Sequence, residues 1–276
     1  MRVNDTLPRD IASFRKAILD HYATRGRSFP WRETRDPYRI LVSEMMLQQT
    51  QTRRVVPKYA EWLEAFPDAA TLARSPLTAV IERWVGLGYN RRAKYLQEAC
   101  RIVTGKYGGD FPRDAETLQQ LPGIGPYTAR AVTTFAFNVP QAFIETNIRS
   151  VFLFFFFPEE KDVPDSKLYP LIEESLDRDN PRDWYYALMD YGAELKTKTV
   201  NPNRQSRQYA KQSKFEGSLR QARGAIVRYL SASGEASIEA IAEREGIAPE
   251  RIREAMESLA RAGMVAERGD SYAIAR

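Results

Sequence analysis

The segment LPGIGPYTA, residues 121–129, restricts this chain more than any other. Gly123 and Gly125 can take backbone angles that other residues resist. Pro126 suits the first turn of a helix, where its missing N–H has no intrahelical acceptor to lose. The preceding stretch, 114–120, reads as helical, so the unit is a helix, a glycine turn and a second helix. Free amides in such a turn, backed by the positive end of the following helix, form an anion site. Two readings stand at this point: a nucleic-acid phosphate site, or a plain connection with no ligand.

The same helical periodicity runs through most of the chain. Apolar residues recur at helical spacing over 11–22, 40–49, 59–66, 77–84, 92–104, 128–137, 169–176 and 184–197, with proline and glycine clustered between them. No strand is expected before residue 263, so the body is all-α. The run VFLFFFF (151–157) is far short of the roughly 20 residues that cross a bilayer; it reads as a buried helix segment or, alternatively, an interface patch. The N-terminal MRVNDTLPRD lacks the apolar core of a secretion signal, which points to a cytoplasmic, nucleoid-associated protein.

Charge and rare residues narrow the function. The 276 residues carry a net charge of +5, compatible with a polyanionic partner. One cysteine, Cys100, and one histidine, His21, allow no intrachain disulfide, cysteine cluster or two-histidine metal site; Cys100 reads as a small buried hydrophobe. Between 196 and 214, Lys196, Lys198, Arg204, Arg207, Lys211 and Lys214 occur without an intervening acid. This basic loop is either a phosphate contact or a solvated linker. The tail, 218–276, reads as three helices (218–230, 238–244 and 249–262) and two strands (264–267 and 272–275) around a turn at Arg268-Gly269-Asp270, a winged-helix pattern. Its nine basic and nine acidic residues balance, leaving DNA reading and a packing or partner-binding role equally open.

Two carboxylates stand out. Glu44, within SEMMLQQTQT (43–52), lies in an apolar helical segment. Burial there would raise its pKa and fit it to deliver a proton near neutrality; on a helix surface it would do nothing of the kind. Gln48, Gln49 and Gln51 add amides suited to base edges. Upstream, Trp31 in FPWR (29–32) suits base stacking or a core position. Glu145, in IETNIRSV (144–151), is polar between apolar neighbours and could also be a helix N-terminal acid stabilised by the dipole.

Taken in order, FPWR, SEMMLQQTQT, WVGLGY (84–89), LPGIGPYTA, IETNIRSV and MDYGA (189–193) resemble the helix-hairpin-helix DNA glycosylases, and within them the MutY type of adenine glycosylase. The resemblance runs from about Phe29 to Thr197. It implies a two-lobed helical glycosylase domain over 1–215, with 28–136 inserted between 1–27 and 137–195 and the basic loop at 196–215, followed by a winged-helix-like α+β domain at 218–276. It implies a monomer acting on duplex DNA that contains a damaged or mismatched base, which is flipped into a pocket. By resemblance, Glu44 protonates the purine and Glu145 stabilises the oxocarbenium-like sugar. Tyr127 lies beside the sugar, and Asn147 orients the carboxylate or the water. Trp31, Arg32 and Leu47 line the base pocket. Gln49 fills the gap in the stack, and Gln48, Asn90, Gly123, Gly125, Thr128 and the six cations of the basic loop contact DNA. Bifunctional relatives carry a lysine at the place of Tyr127, able to attack the sugar; tyrosine implies a monofunctional enzyme that leaves an abasic site. Adenine is the first expected base and hypoxanthine the second.

This chain departs from the family pattern in several places. Glu145 replaces an aspartate, which moves the carboxylate by about 1.5 Å on a fixed backbone, and a shift of that order can cost about 100-fold in rate. The alternative function is therefore a weak or inactive glycosylase fold that binds damage or regulates. The family's four-cysteine iron–sulfur loop follows MDYGA, but 194–217 contains no cysteine, so no cofactor is expected and the basic loop is expected to replace the cluster's role. The family's C-terminal domain for oxidised guanine is replaced by the winged helix, and Asn90 stands where relatives often have a second tyrosine.

Overall fold

Helices supply nearly all the regular structure of the computed structural model, which describes residues 10–275. Of the residues read above for a signal, 1–9 lie outside this span, as does the terminal Arg276. In chain order the helices are α1 (Ile11–Arg25), α2 (Pro37–Leu47), α3 (Thr52–Ala65), α4 (Ala69–Arg74), α5 (Leu77–Trp84), α6 (Arg91–Tyr107), α7 (Ala115–Leu118), α8 (Pro126–Phe137), α9 (Thr146–Phe156), α10 (Asp165–Ser175), α11 (Pro181–Lys198), α12 (Leu219–Ser233), α13 (Ile238–Glu245) and α14 (Pro249–Arg261). The strands are β1 (Glu235–Ala236), β2 (Val265–Arg268) and β3 (Ser271–Ile274), in the antiparallel order β1-β3-β2. No helix among the described residues is long and apolar enough to cross a membrane.

The sequence expectations hold for element type and miss at some edges. Helices α3 and α10 begin well before 59 and 169, passing through Pro57 and Pro170. Each proline removes one helical hydrogen bond, yet the added turns bury Val55 and Leu168, and packing outweighs the local preference. Two short helices, α4 and α7, fall outside or inside broader readings. Strand β1 lies before 263, contrary to expectation; its two residues are too few for an alternating pattern to register.

The chain divides into two compact units. The first holds the described residues up to Ile40, with Arg113–Glu116 and Gly125–Lys211; the second holds Leu41–Pro112, Thr117–Ile124 and the described residues from Gln212 onward. Ahead of the tail, the second unit runs over 41–124, apart from 113–116. The first boundary of this stretch falls inside α2 and its last inside the glycine turn, where the sequence shows no change of composition.

In the first unit α9 packs on α11 and α10, and α1 packs on α11. The aromatic run of α9 is core: Phe152 and Phe155 are buried, and Phe14 of α1 meets Phe152 at 5.2 Å and Trp184 of α11 at 5.9 Å. These edge and tilted contacts add to the area buried. Asp190 of α11, also buried, accepts from the Arg27 amide and Nε (both 2.7 Å) and from both terminal nitrogens of Arg32 (2.8 and 2.7 Å). Burial pushes the Asp190 carboxyl up, but the hydrogen bonds from Arg32 and the Arg27 amide outweigh it and leave its pKa below the usual value.

In the second unit α4 and α5 pack on α6 around Trp62 and Trp84, whose rings meet at 5.3 Å. The tail packs α12 against α14 and against α5. Lys94 of α6 donates to the carbonyls of Ala262 (3.0 Å) and Gly263 (3.2 Å), capping the end of α14. Gly263 has φ +61°, and a Cβ there would lie 2.5 Å from Lys94 Nζ.

The Asp190 network is the clearest stability test. Asp190→Ala leaves two arginines facing a vacant site, and the expected loss is about 3–5 kcal/mol in urea unfolding at pH 7. Because the folded pKa is depressed, Asp190's contribution is present above the unfolded value near 3.9 and is lost as pH falls below it. The gap between variant and wild type should therefore narrow below about pH 4.

Candidate active site

Glu44 is buried at 6% exposure on α2, beside Ser43 at 1%. The helix-surface alternative is thus excluded. The end of this helix is finished by a residue the sequence reading passed over. Arg92, buried in the second unit, donates through one nitrogen to the carbonyls of Met45, Met46 and Gln48. Its other terminal nitrogen reaches the Gly88 carbonyl at 2.9 Å and the Leu87 carbonyl at 3.3 Å. The guanidinium therefore satisfies the last carbonyls of α2 and ties them to the WVGLGY loop. Burial pulls the Arg92 pKa down to about 10, which leaves it charged at neutral pH. In the sequence, Arg91-Arg92 looks like a pair of surface charges, and nothing marks the second as internal.

Just beyond α2, Gln49 is exposed and left-handed at φ +55°, as is Tyr89 at φ +47°. Gln212 joins them, its amide donating to Gln49 Oε1 (3.3 Å) and Tyr89 Oη (2.6 Å). Arg220 donates to the same Tyr89 Oη at 2.9 Å. Leu47 and Gln48 are half-buried beside them, and Asn90 caps α6 without a side-chain bond.

The glycine turn behaves differently at its two glycines. Gly123 needs its freedom: φ is +74°, and a Cβ would lie 2.7 Å from Tyr95 Cβ and 3.1 Å from Met45 Cε. The turn thus seats directly on the helix that carries Glu44. Gly125 is extended at φ −85°, serves as N-cap of α8 and has open space around it; the left-handed angle foreseen for it is not used. Pro126 opens α8 as expected, Thr128 is buried, and Tyr127 packs edge-on against Phe143 at 5.8 Å.

Glu145, in the first unit, is the N-cap of α9. Its Oε1 accepts from the amides of Asn147 (2.7 Å) and Ile148 (2.9 Å), and its Oε2 meets Thr146 Oγ1 (3.1 Å) and Asn147 Nδ2 (3.2 Å). The longer arm of glutamate curls back to reach these groups, and the helix terminus stabilises its charge. The carboxylate is half-buried, so a bound molecule could still reach it.

The start of α9 is clamped from α11 and the basic loop. Gly192 of MDYGA lies so close that a Cβ would be 2.3 Å from the Asn147 carbonyl oxygen. Buried Asn203 donates to the Thr146 carbonyl (2.6 Å) and Ser150 Oγ (2.5 Å). Lys196 Nζ lies 2.9 Å from Asn147 Oδ1. The loop is held further by a parallel bridge between Val163 and Ser206 and by Gln205 Nε2 on the Phe157 carbonyl. Of its cations, Lys198 pairs with Glu194 and Arg207 with Asp162, while Arg204, Lys211 and Lys214 are exposed. An iron–sulfur cluster does not fit this segment. The chain's single cysteine, Cys100, is buried on α6, and side-chain hydrogen bonds order the loop. Among the described residues no group of three or more His, Cys, Asp or Glu could hold a metal ion.

Two residues foreseen at a base pocket have partners within the first unit. Trp31 is buried and stacks on Phe29 (5.0 Å, 7°), and Arg32 is committed to Asp190, with its guanidinium 4.4 Å from the Tyr186 ring.

Residues 42–177 match the HhH-GPD superfamily of base excision DNA repair proteins. A solved thermostable thymine-DNA glycosylase superposes with TM-score 0.59 at 30% identity, covering 66% of this chain and 86% of that one. The chain belongs to this superfamily. Its similarity to individual proteins is more specific. It is 35% identical over 200 residues to the adenine DNA glycosylase of Homo sapiens, covering 68% of this chain and 37% of the human protein. To the adenine DNA glycosylase of Mycolicibacterium smegmatis it is 43% identical over 135 residues, 49% of this chain and 46% of that protein. The chain thus spans less than half the length of these curated relatives.

The tight approach at Gly192 should be intolerant of any side chain. Gly192→Ala pushes a methyl into the Asn147 carbonyl, with an expected loss of about 1–3 kcal/mol in urea unfolding. An unchanged midpoint would mean that α9 can move away freely.

Proposed function

We propose that the chain is a DNA glycosylase that releases adenine from duplex DNA, with hypoxanthine as second substrate. The burial of Glu44 carries this reading. A carboxyl withheld from water on a capped helix suits proton donation to a purine ring nitrogen. Thymine, the base named for one structural relative, offers no N7 to protonate, and the curated relatives are adenine DNA glycosylases.

In this mechanism the target nucleotide leaves the stack. Glu44 gives its proton to adenine N7, and the C1′–N9 bond breaks with its electron pair going to the base. The positive charge that develops on the sugar meets the Glu145 carboxylate, held in place by the α9 amides. Asn147 fixes the orientation of that carboxylate. Water adds at C1′ and loses its proton to a carboxylate, leaving an abasic site. Tyr127 lies beside the sugar and cannot form a Schiff base, so strand cleavage is not part of the reaction. Gln49 enters the vacated stack. The amides around Gly123 and Gly125, with exposed Arg204, Lys211 and Lys214, contact phosphates.

Single-turnover release from duplexes containing adenine, hypoxanthine or thymine, each opposite several bases and revealed by alkali, tests the reading. Adenine release is expected in the wild type. Glu44→Gln and Glu145→Gln should each lower it at least about 100-fold, with duplex affinity changed only a few fold. Borohydride should trap no covalent complex. Tight lesion binding with no release of either purine would replace this reading with a non-catalytic damage binder.

A further inference from the structure

We infer that Lys196 is a positioning residue for this reaction, setting the orientation of the Asn147 amide and, through it, the Glu145 carboxylate. The inference rests on the proposed role of Glu145. By sequence Lys196 is simply the first of six cations in a basic run. In the structure it occupies the last turn of α11 and turns inward, half-buried, to Asn147 Oδ1 at 2.9 Å. Lys198, two residues on, is exposed and paired with Glu194.

The direction of the hydrogen bonds carries the argument. An ammonium group only donates, so the Asn147 group facing Lys196 must be its oxygen. That assignment fixes the other end of the amide as Nδ2, which lies 3.2 Å from Glu145 Oε2. The reversed amide would set its oxygen against a carboxylate oxygen and its NH2 against the ammonium, two repulsive contacts in place of two attractive ones. Lys196 therefore removes the amide's two-fold ambiguity. With Oε1 already on the Asn147 and Ile148 amides, the carboxylate is held at both oxygens.

Burial is consistent with this role. A lysine has a long stem and can usually reach water. Here burial lowers the Lys196 pKa, partly offset by the Glu145 charge, with Arg149 lowering it further. Arg149 is itself bound to Asp165 at 2.7 Å through two nitrogens. A lysine meant only for phosphate would gain nothing from facing inward.

Single-turnover adenine release and affinity for a duplex carrying a non-hydrolysable 2′-fluoro adenosine are measured together for Lys196→Met, Lys196→Arg, Asn147→Ala and the Lys196→Met/Asn147→Ala pair. Lys196→Met should slow release about 10- to 100-fold while affinity changes less than about threefold, within the range of one lost long-range contact. Lys196→Arg, which still donates to Oδ1, should recover most of the rate. The double variant should be no slower than Asn147→Ala alone, as expected for residues acting through one chain of bonds. Wild-type release by Lys196→Met, alongside an inactive Glu145→Gln, would overturn the inference. So would weakened, less salt-dependent binding at an unchanged rate, the mark of a phosphate contact. Wild-type release by Glu145→Gln would instead overturn the role of Glu145. Lys196→Ala, under the same limits, replaces Lys196→Met if the latter does not fold.

Discussion

A helix start leaves amides without partners, and in this protein the amides at the start of α9 are satisfied by the side chain proposed to act in catalysis. Glu145 caps α9 with Oε1 on two amides. Three features of the first unit hold that terminus in place. Gly192 permits the close approach of α11, Asn203 fastens the Thr146 carbonyl, and the aromatic residues of α9 fill the core behind it. Glu145 curls back so that its carboxylate meets this terminus.

The second unit solves the opposite problem. Glu44 lies near the C-terminal end of α2, where carbonyls lack partners and a positive charge is favoured. Arg92 supplies that charge from inside the lobe and joins it to the loop at Gly88. Each carboxylate therefore sits in or directly before a short helix whose end is completed by a charged group, an anion at an N-terminus and a cation at a C-terminus. Such completion limits fraying in the turn that bears the functional group.

Much of this was legible in the sequence. Helical spacing, Pro126 and the tail's turn at Gly269 located most elements, and the motif order singled out Glu44 and Glu145 as candidates. The internal uses of polar residues were not legible. Arg92 and Lys196 look like surface charge because a sequence does not show which way a long side chain turns. MDYGA was readable as a motif but not as a device: Asp190 fastens Arg27 and Arg32, and Gly192 gives α9 its room. The acidic partners of the basic loop were hidden for a related reason, since Asp162 and Glu194 lie outside the run of cations.

Lys94 gives the tail a mechanical character that its place at the end of the chain does not suggest. A domain on a flexible linker explores a sphere and raises local concentration without imposing direction. This tail is fastened at the end of α14 by Lys94 and along α12 by α5. It therefore moves with the lobe that carries Glu44, as a fixed outrigger and not as a trailing tether. Whatever surface it meets is held at a set distance and angle from that helix, and a force applied to the tail is transmitted to the lobe.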